Sequence, residues 1–574
     1  MRFLEELKKR NVIRVAALYI VASWLFLQVG DLIFDAFDVP SWSMRLLIAI
    51  LILGFPIVLS LSWVFELTAD GLVREEEISR GVLRRLSGRR ANILIAAMAI
   101  LAVALVVADR MRPDTRPGHR SIAVLPFLNI SDDQANDYFA DGLSEELLNL
   151  LARIPELQVT ARTSSFSFKD KDLDLPTIGR LLNVAHVLEG SVRKSGQQIR
   201  ITAQLINVEN GYHVWSQNYD REMNDIFAIQ DEISAAVVAA LRVSILGNAP
   251  RARGTDPEAF TAYLTALHFY QQRTIGSLDK TLSYAQRAID IDPDYAPAWN
   301  LLSSTYSNLA ISRQLPYNEA HEKALLANER ALDIDPNFAF ALSARAWLAM
   351  NYERDLASSA AFFRRALDIE PNNPVILGNQ AVLAGRLRRV DEAIELSRKS
   401  LALDPVRSVG YSNLSDLLAR AGRPFEAVEV AQKAVELAPG NQIARANLAI
   451  AYLLAEQADE SISELERLER DLYRFLVGAL VFHSVNRAAE SDAALAQLVG
   501  QFADSSAYYI AIVHAWRNDK DAAFEWLDRA VSEGQSTNGI GNEPLLRNLH
   551  DDARWEPLLE QLGLSDEQVA AIRF

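Results

Sequence analysis

The sequence predicts a mixed architecture: three N-terminal transmembrane helices, a small α/β domain, and an α-α superhelix of stacked helical hairpins. Three observations carry this. Long uncharged runs are confined to positions 1–110, strand-period and helix-period segments mix between 121 and 247, and a proline-terminated signature recurs beyond 257. A chain of 574 residues also exceeds what one hydrophobic core serves, so several folded units are expected.

The apolar runs come first. Val15 to Gly30, Leu46 to Phe65 and Ala91 to Ala108 are uncharged throughout. About 20 apolar residues at 1.5 Å rise cross a bilayer core. The second and third runs qualify, and the first does so if Arg14 snorkels and Leu32–Phe34 continue it. Pro56 is tolerable within a membrane helix. Bulky Leu25, Phe26 and Leu27 toward the end of the first run argue against a cleaved signal peptide.

Charge sets the expected orientation. Residues 1–120 hold 16 basic and 12 acidic side chains (+4), whereas 121–574 hold 42 and 62 (−20). Basic residues flank the start (Arg2, Lys8, Lys9, Arg10, Arg14) and fill the second loop (Arg74, Arg80, Arg84, Arg85, Arg89, Arg90). Positive loops stay in the cytoplasm. The expectation is a bacterial inner-membrane protein, multi-pass, with a cytoplasmic N-terminus and periplasmic C-terminal domains. The anchor spans 1–110, and 111–120, with Pro113, Pro117 and Gly118, reads as a linker.

The next segment reads as helices on one sheet. Ser121–Phe127 and Leu157–Arg162 have strand length, and Gly142–Ile154 has helical spacing. Leu175–Leu182 reads as a short helix. His186–Val192 and Gln198–Ile206 form a hairpin around Ser195-Gly196, and His213–Gln217 adds a strand. Ile226–Val243 closes the unit as an amphipathic helix. Within it, Ile122-Ala-Val-Leu-Pro-Phe127, Asn129, Tyr138-Phe139, Asp141-Gly142-Leu143, Glu145, Arg162 and Ser164-Ser165-Phe166 resemble the TolB amino-terminal-like domain of bacterial envelope proteins. Leu188-Glu-Gly-Ser-Val192, Gln204-Leu205, Trp215 and Gln230-Asp-Glu-Ile233 continue the resemblance, which covers about 121–245 and sets the domain at 121–247. The anchor, with Phe3–Val12 and Trp63–Leu67, also resembles a recurring element of this group. The resemblance implies a domain placed between a membrane anchor and a helical repeat array. Relatives carry cyclase, kinase or winged-helix domains on the cytoplasmic side; residues 1–120 leave no room for one.

The third unit, 257–574, is a repeat array. Ala288-Ile-Asp-Ile-Asp-Pro293, Ala331-Leu-Asp-Ile-Asp-Pro336, Ala366-Leu-Asp-Ile-Glu-Pro371, Ser400-Leu-Ala-Leu-Asp-Pro405 and Ala434-Val-Glu-Leu-Ala-Pro439 share one signature. Its prolines recur at about 34 residues, the tetratricopeptide (TPR) period. The first interval is longer, which marks an insertion near Leu309–Tyr317. Each proline stops a second helix, because its ring breaks the hydrogen-bond ladder. Weaker repeats continue to Ala530, and Leu545–Leu564 reads as a C-terminal cap. The TPR resemblance implies a concave face presented by the first helix of each pair. Here it includes Asn300, Ser304, Asn308, Ser343, Trp347, Asn351, Ser412, Asp416 and Arg420, a hydrogen-bonding and aromatic set suited to a protein or peptide partner.

Catalytic chemistry is not evident. Absent Cys excludes a disulfide scaffold, thiolate catalysis and Cys-ligated metal. No two of the eight His are four apart, and no Walker-type loop or Gly-x-Ser-x-Gly elbow occurs. Asp290-Ile-Asp292 and Asp333-Ile-Asp335 sit at helix ends before repeat prolines, a structural place. The acidic balance argues against nucleic acid. The expected function is therefore a non-enzymatic, membrane-anchored envelope scaffold or adaptor, without cofactor, metal or small-molecule substrate. It binds protein partners through the groove, with the TolB-like domain as a second interaction module and the bilayer as anchor. The alternative is a sensory or regulatory subunit signalling to a separate cytoplasmic effector.

Overall fold

The computed structural model describes residues 120–574 apart from 132, 134–135, 172, 242–253, 273–274, 312–313 and 534–538. Before residue 120 it describes Phe65–Thr68, Gly71–Arg74 and positions 19, 23, 27, 51, 54 and 55. The chain divides into two compact units, Met1–Thr115 and Arg116–Phe574.

In the first unit the described positions of the first two apolar runs, Phe65 apart, are helical. Tyr19 donates its hydroxyl to the Leu51 carbonyl at 2.8 Å, and its ring lies 5.6 Å from that of Phe55. Strands β1 (Phe65–Thr68) and β2 (Gly71–Arg74) pair antiparallel, so the last residue of the second run, Phe65, begins a strand. The rest of the three expected membrane spans, the Arg84–Arg90 cluster and the linker before residue 120 lie outside the described residues. Among the described residues no helix is long and apolar enough to cross a membrane.

The second unit opens with the sheet. Its strands are β3 (Ser121–Val124), β4 (Leu128–Asn129), β5 (Gln158–Val159), β6 (His186–Ser195), β7 (Gln198–Asn207) and β8 (His213–Glu222). The order is β5-β3-β6-β7-β8, with β4 also beside β6. The β3, β4 and β5 pairings are parallel and the long hairpins antiparallel. Gly196 takes the left-handed turn of the β6–β7 hairpin (φ +59°). Helices α1 (Asp137–Ala152), α2 (Arg162–Phe166), α3 (Leu175–Leu182) and α4 (Ile226–Ala240) complete the domain. The expected strand 157–162 is shorter than its pattern suggests. Thr160 still donates its amide to the Ile122 carbonyl of β3 (2.9 Å), but Ala161 donates to the Leu403 carbonyl instead (2.8 Å), and Arg162 then starts α2.

Eight antiparallel helix pairs follow among the described residues. The first is α5 (Pro257–Gln272) with α6 (Ile275–Ile291), the second α7 (Ala296–Ile311) with α8 (Tyr317–Ile334), and the third α9 (Ala339–Leu348) with α10 (Leu356–Ile369). The fourth is α11 (Pro374–Arg386) with α12 (Val390–Leu403), the fifth α13 (Ser408–Arg420) with α14 (Pro424–Leu437), and the sixth α15 (Gln442–Leu454) with α16 (Ala458–Leu465). The last two are α17 (Asp471–Ser484) with α18 (Ala488–Phe502) and α19 (Ala507–Trp516) with α20 (Lys520–Ser532). Every signature proline falls just past the second helix of a pair, and the insertion near Leu309–Tyr317 is the loop between α7 and α8. This is a TPR-like superhelix.

Two devices repeat with the sequence period. Left-handed residues Arg354, Arg388, Gly422, Glu456, Asn486 and Asn518 reverse the chain between the two helices of pairs three to eight. Buried hydroxyls tie first helix to second: Ser415 donates to the Ala427 carbonyl, Ser461 to Ala449 and Ser491 to Ala479, at 2.7–2.9 Å. Beyond the eighth pair, 3-10 turns at Ile540–Asn542 and Pro544–Leu549 and helices α21 (Trp555–Gln561) and α22 (Asp566–Ala571) form a cap. Leu545, Leu546, Leu549, Trp555, Leu558 and Leu559 are buried in it.

The sheet domain and the array share one core, running from Ile122, Phe139 and Leu143 through Phe260, Leu264 and Leu302. Gly142 makes this possible. A Cβ there would stand 2.6 Å from the Leu264 side chain, so only glycine lets α1 and α5 approach this closely.

Candidate functional site

Fixed spacing aligns the first helices of successive pairs. First helices of the fourth, fifth and sixth pairs align at the repeat period, so Val375, Val409 and Ile443 share one place, and Asn379, Asn413 and Asn447 another, one helical turn on. An i, i+4 step keeps both on one helix face. The three aliphatic residues are exposed.

The polar residues of this face bond between neighbouring pairs. Asn379 donates to Ser343 Oγ at 3.4 Å, and Asn447 to Ser412 Oγ at 3.0 Å. Ser343 and Ser412 are buried and take the same place relative to the signature proline before each. In the fourth pair that place holds Gly378, so Asn413 lacks the equivalent serine to bond. A cavity of about 240 Å³ opens between the third, fourth and fifth pairs, lined by Gly378, Asn379, Arg386, Arg407, Asn413 and Arg420 among others. It is smaller than the roughly 300–1,000 Å³ of small-molecule sites. It suits a side chain better than a cofactor.

Two arginines at equivalent places, one repeat apart, differ sharply here. Arg420 is fully committed. It bonds Asp416 (2.8 Å), the Gly539 carbonyl, Asn542 Oδ1 (3.0 Å) and Glu543 Oε2 (3.0 Å). Burial works against its charge, but Asp416 and Glu543 outweigh that and raise its pKa. Arg386 donates to the Met350 carbonyl (3.1 Å) and Asn351 Oδ1 (2.7 Å), while its buried Nε has no partner. No carboxylate pairs with it among the described residues, and burial pulls its pKa down to about 10.

The sequence-derived set is brought together in part. Trp347, Asp416 and Arg420 line the cavity. Asn351 supports Arg386, and Ser343 and Ser412 take the inter-pair bonds just described. Asn300, Ser304 and Asn308 lie apart, on α7, where Asn308 donates to Tyr270 Oη (2.9 Å) and to the Ser304 carbonyl (3.0 Å). Sequence reasoning passed over the fourth pair entirely. A step of one repeat period back from Asn413 and Arg420 finds Asn379 and Arg386.

The motifs of the sheet domain have structural work. Arg162 Nε donates to Glu145 Oε2 at 2.6 Å, and Lys169 Nζ to Asp141 at 2.6 Å. Burial raises the Glu145 pKa, with Arg162 opposing. Ser144 Oγ accepts the Phe127 amide (2.8 Å). Ser164 donates to Asp404 Oδ1 at 2.6 Å and accepts the Val406 amide, which docks α2 on the loop after the fourth pair. No group of His, Asp or Glu that could hold a metal ion occurs among the described residues.

No family model matches the chain. A curated relative, "Putative adenylate cyclase 3" of Rhizobium meliloti (strain 1021), is 40% identical over 195 residues. The match covers 33% of this chain and 33% of the relative, so the chain spans about a third of that protein's length. Among solved structures, Pseudomonas aeruginosa pilF is 18% identical with a TM-score of 0.30, covering 36% of this chain and 93% of its own. PilW, a type IV pilus biogenesis factor, is 18% identical with a TM-score of 0.29, covering 44% and 97%. YrrB, a TPR protein with an unusual peptide-binding site, is 16% identical with a TM-score of 0.26, covering 35% and 97%. The fold assignment rests on the helix pairs of this chain itself.

Proposed function

We propose that this chain is a membrane-anchored adaptor that grips a protein partner along the concave face of its TPR-like array. The observation that carries this reading is the aligned stripe of Val375, Val409, Ile443 and the three asparagines, opening into a side-chain-sized cavity. A stack of helix pairs offers an extended surface of this kind, not an enclosed reaction site. The TolB-like domain serves as a second module and braces the array. The three apolar runs hold the protein in the inner membrane, N-terminus in the cytoplasm and array in the periplasm. No chemistry of its own is assigned to the chain.

Photo-crosslinkers placed at Asn308, Asp416 and Asn447 should trap one defined protein. Traps that are empty or indiscriminate at all three positions would end the groove reading. For topology, a reporter fused after Arg120 should be active only as a periplasmic fusion; cytoplasmic activity reverses the orientation.

A second reading has one observation in its favour, the partial match to a protein described as a putative adenylate cyclase. In it the chain is a sensory subunit acting on a separate cytoplasmic effector. Its signature is a partner trapped from residues 66–90 and none from the groove.

A further inference from the structure

We infer that the cavity beside Gly378 receives a carboxylate side chain of an acidic peptide segment, with Arg386 as its counter-charge. The inference rests on the groove reading above and names the chemistry of the partner.

Three observations point the same way. Gly378 lines the cavity at the place where the third and fifth pairs carry a buried serine. A Cβ at Gly378 would come within 3.3 Å of Ser400 Oγ and 3.4 Å of Arg407 Nη1, so this wall is polar, leaves no room for a side chain without a shift, and borders a second guanidinium. Arg386 brings a cation to the wall with its buried Nε unused, and no carboxylate of the described residues neutralises it. The carboxylates nearest in kind, Asp416 and Glu543, belong to Arg420.

A partly buried guanidinium without an anion is costly, and an incoming carboxylate removes that cost while gaining a charge-assisted hydrogen bond. The volume, about 240 Å³, admits a glutamate or aspartate side chain with a few waters. Exposed Val409 stands at the mouth and gives the flanking peptide an apolar contact.

The test uses the full-length chain and a fluorescent decapeptide of alternating Glu and Ala, with a Gln–Ala decapeptide as its uncharged match. Wild type should bind the acidic peptide and not the neutral one. Gly378→Ser, which crowds the wall against Ser400 and Arg407 and gives Asn413 the hydroxyl its neighbours have, should weaken binding about tenfold or more, and so should Arg386→Met. Arg398→Met, on an exposed pair with Glu426, should leave binding unchanged. Wild-type binding in Gly378→Ser, or equal loss in Arg398→Met, overturns the proposal. Displacement of the peptide by equimolar inorganic phosphate overturns it too, in favour of a free oxyanion. Crosslinking from Asn447, outside the cavity, separates the two readings. If it traps a partner while the cavity variants bind the peptide like wild type, only this inference falls.

Discussion

Along one edge, where the chain leaves the second helix of each pair, the array meets the sheet domain. Along the other, where the first helix turns into the second, it meets its own C-terminal segment. The chemistry of the two edges differs. On the first, Asn372 donates to the Pro155 carbonyl (2.8 Å), Arg153 approaches Glu370 (3.7 Å), and Ser164 binds buried Asp404. On the second, arginines do most of the holding: Arg388 on Asp566 (2.6 Å), Arg389 on the Ile572 carbonyl (2.6 Å), and Arg420 on Gly539, Asn542 and Glu543. Phe574 adds its ring beneath Arg389. Each edge buries a carboxylate, but the partners differ: Asp404 on the first is held by the Ser164 hydroxyl, and Glu543 on the second by the Arg420 guanidinium, which keeps its charge throughout.

The largest way to break this comparison is Arg420→Met. It leaves Glu543 buried without its cation, a loss of about 3–5 kcal/mol for the 539–549 turns. Hydrogen exchange should show those amides released while the sheet-domain edge stays protected. Next comes Gly142→Val, which forces α1 off Leu264 and should cost about 1–3 kcal/mol in thermal unfolding.

A pH series sharpens the contrast. Burial raises the Asp404 pKa, with the Ser164 bond opposing. An acid whose folded-state pKa is raised contributes stability that is complete below the ordinary carboxylate range, about pH 4, and lost as pH rises through the raised value. The sheet-domain edge should therefore loosen from acid toward neutral pH, followed by exchange of the Ala161 amide. Asp404→Asn, which keeps the acceptor for Ser164 and removes the charge, should flatten that dependence. The smallest effect belongs to Asp566→Ala. Asp566 is 89% exposed, so its bridge to Arg388 should contribute about 0.5 kcal/mol or less and disappear in high salt.

How far the sequence discloses this molecule depends on the range of the forces involved. Local chemistry was legible. The five repeat prolines mark the ends of the first five second helices, Ser195-Gly196 marks the hairpin, and Leu175–Leu182 runs as its spacing predicts. The TPR-like array follows from register alone. Contacts between positions far apart in the chain were not legible. Nothing near Arg162 announces that Ala161 will bond Leu403 in place of a sheet partner. Nothing near Arg420 announces the distant Glu543. The cavity is an intermediate case. Gly378 is visible at once when pairs are stacked by their prolines, but its meaning needs the serine–asparagine bonds on either side.

An open stack of helix pairs, each touching only its neighbours, behaves as a spring that lengthens and coils under load. The third and fourth pairs of this chain are clasped along both margins, by the sheet domain on one and by the C-terminal segment on the other. Those turns of the coil are thereby stiffened into a plate, and any compliance is left to pairs outside the clasp. A ligand pulling on the middle of the groove works against a rigid seat, so force passes into the sheet domain instead of being absorbed by uncoiling.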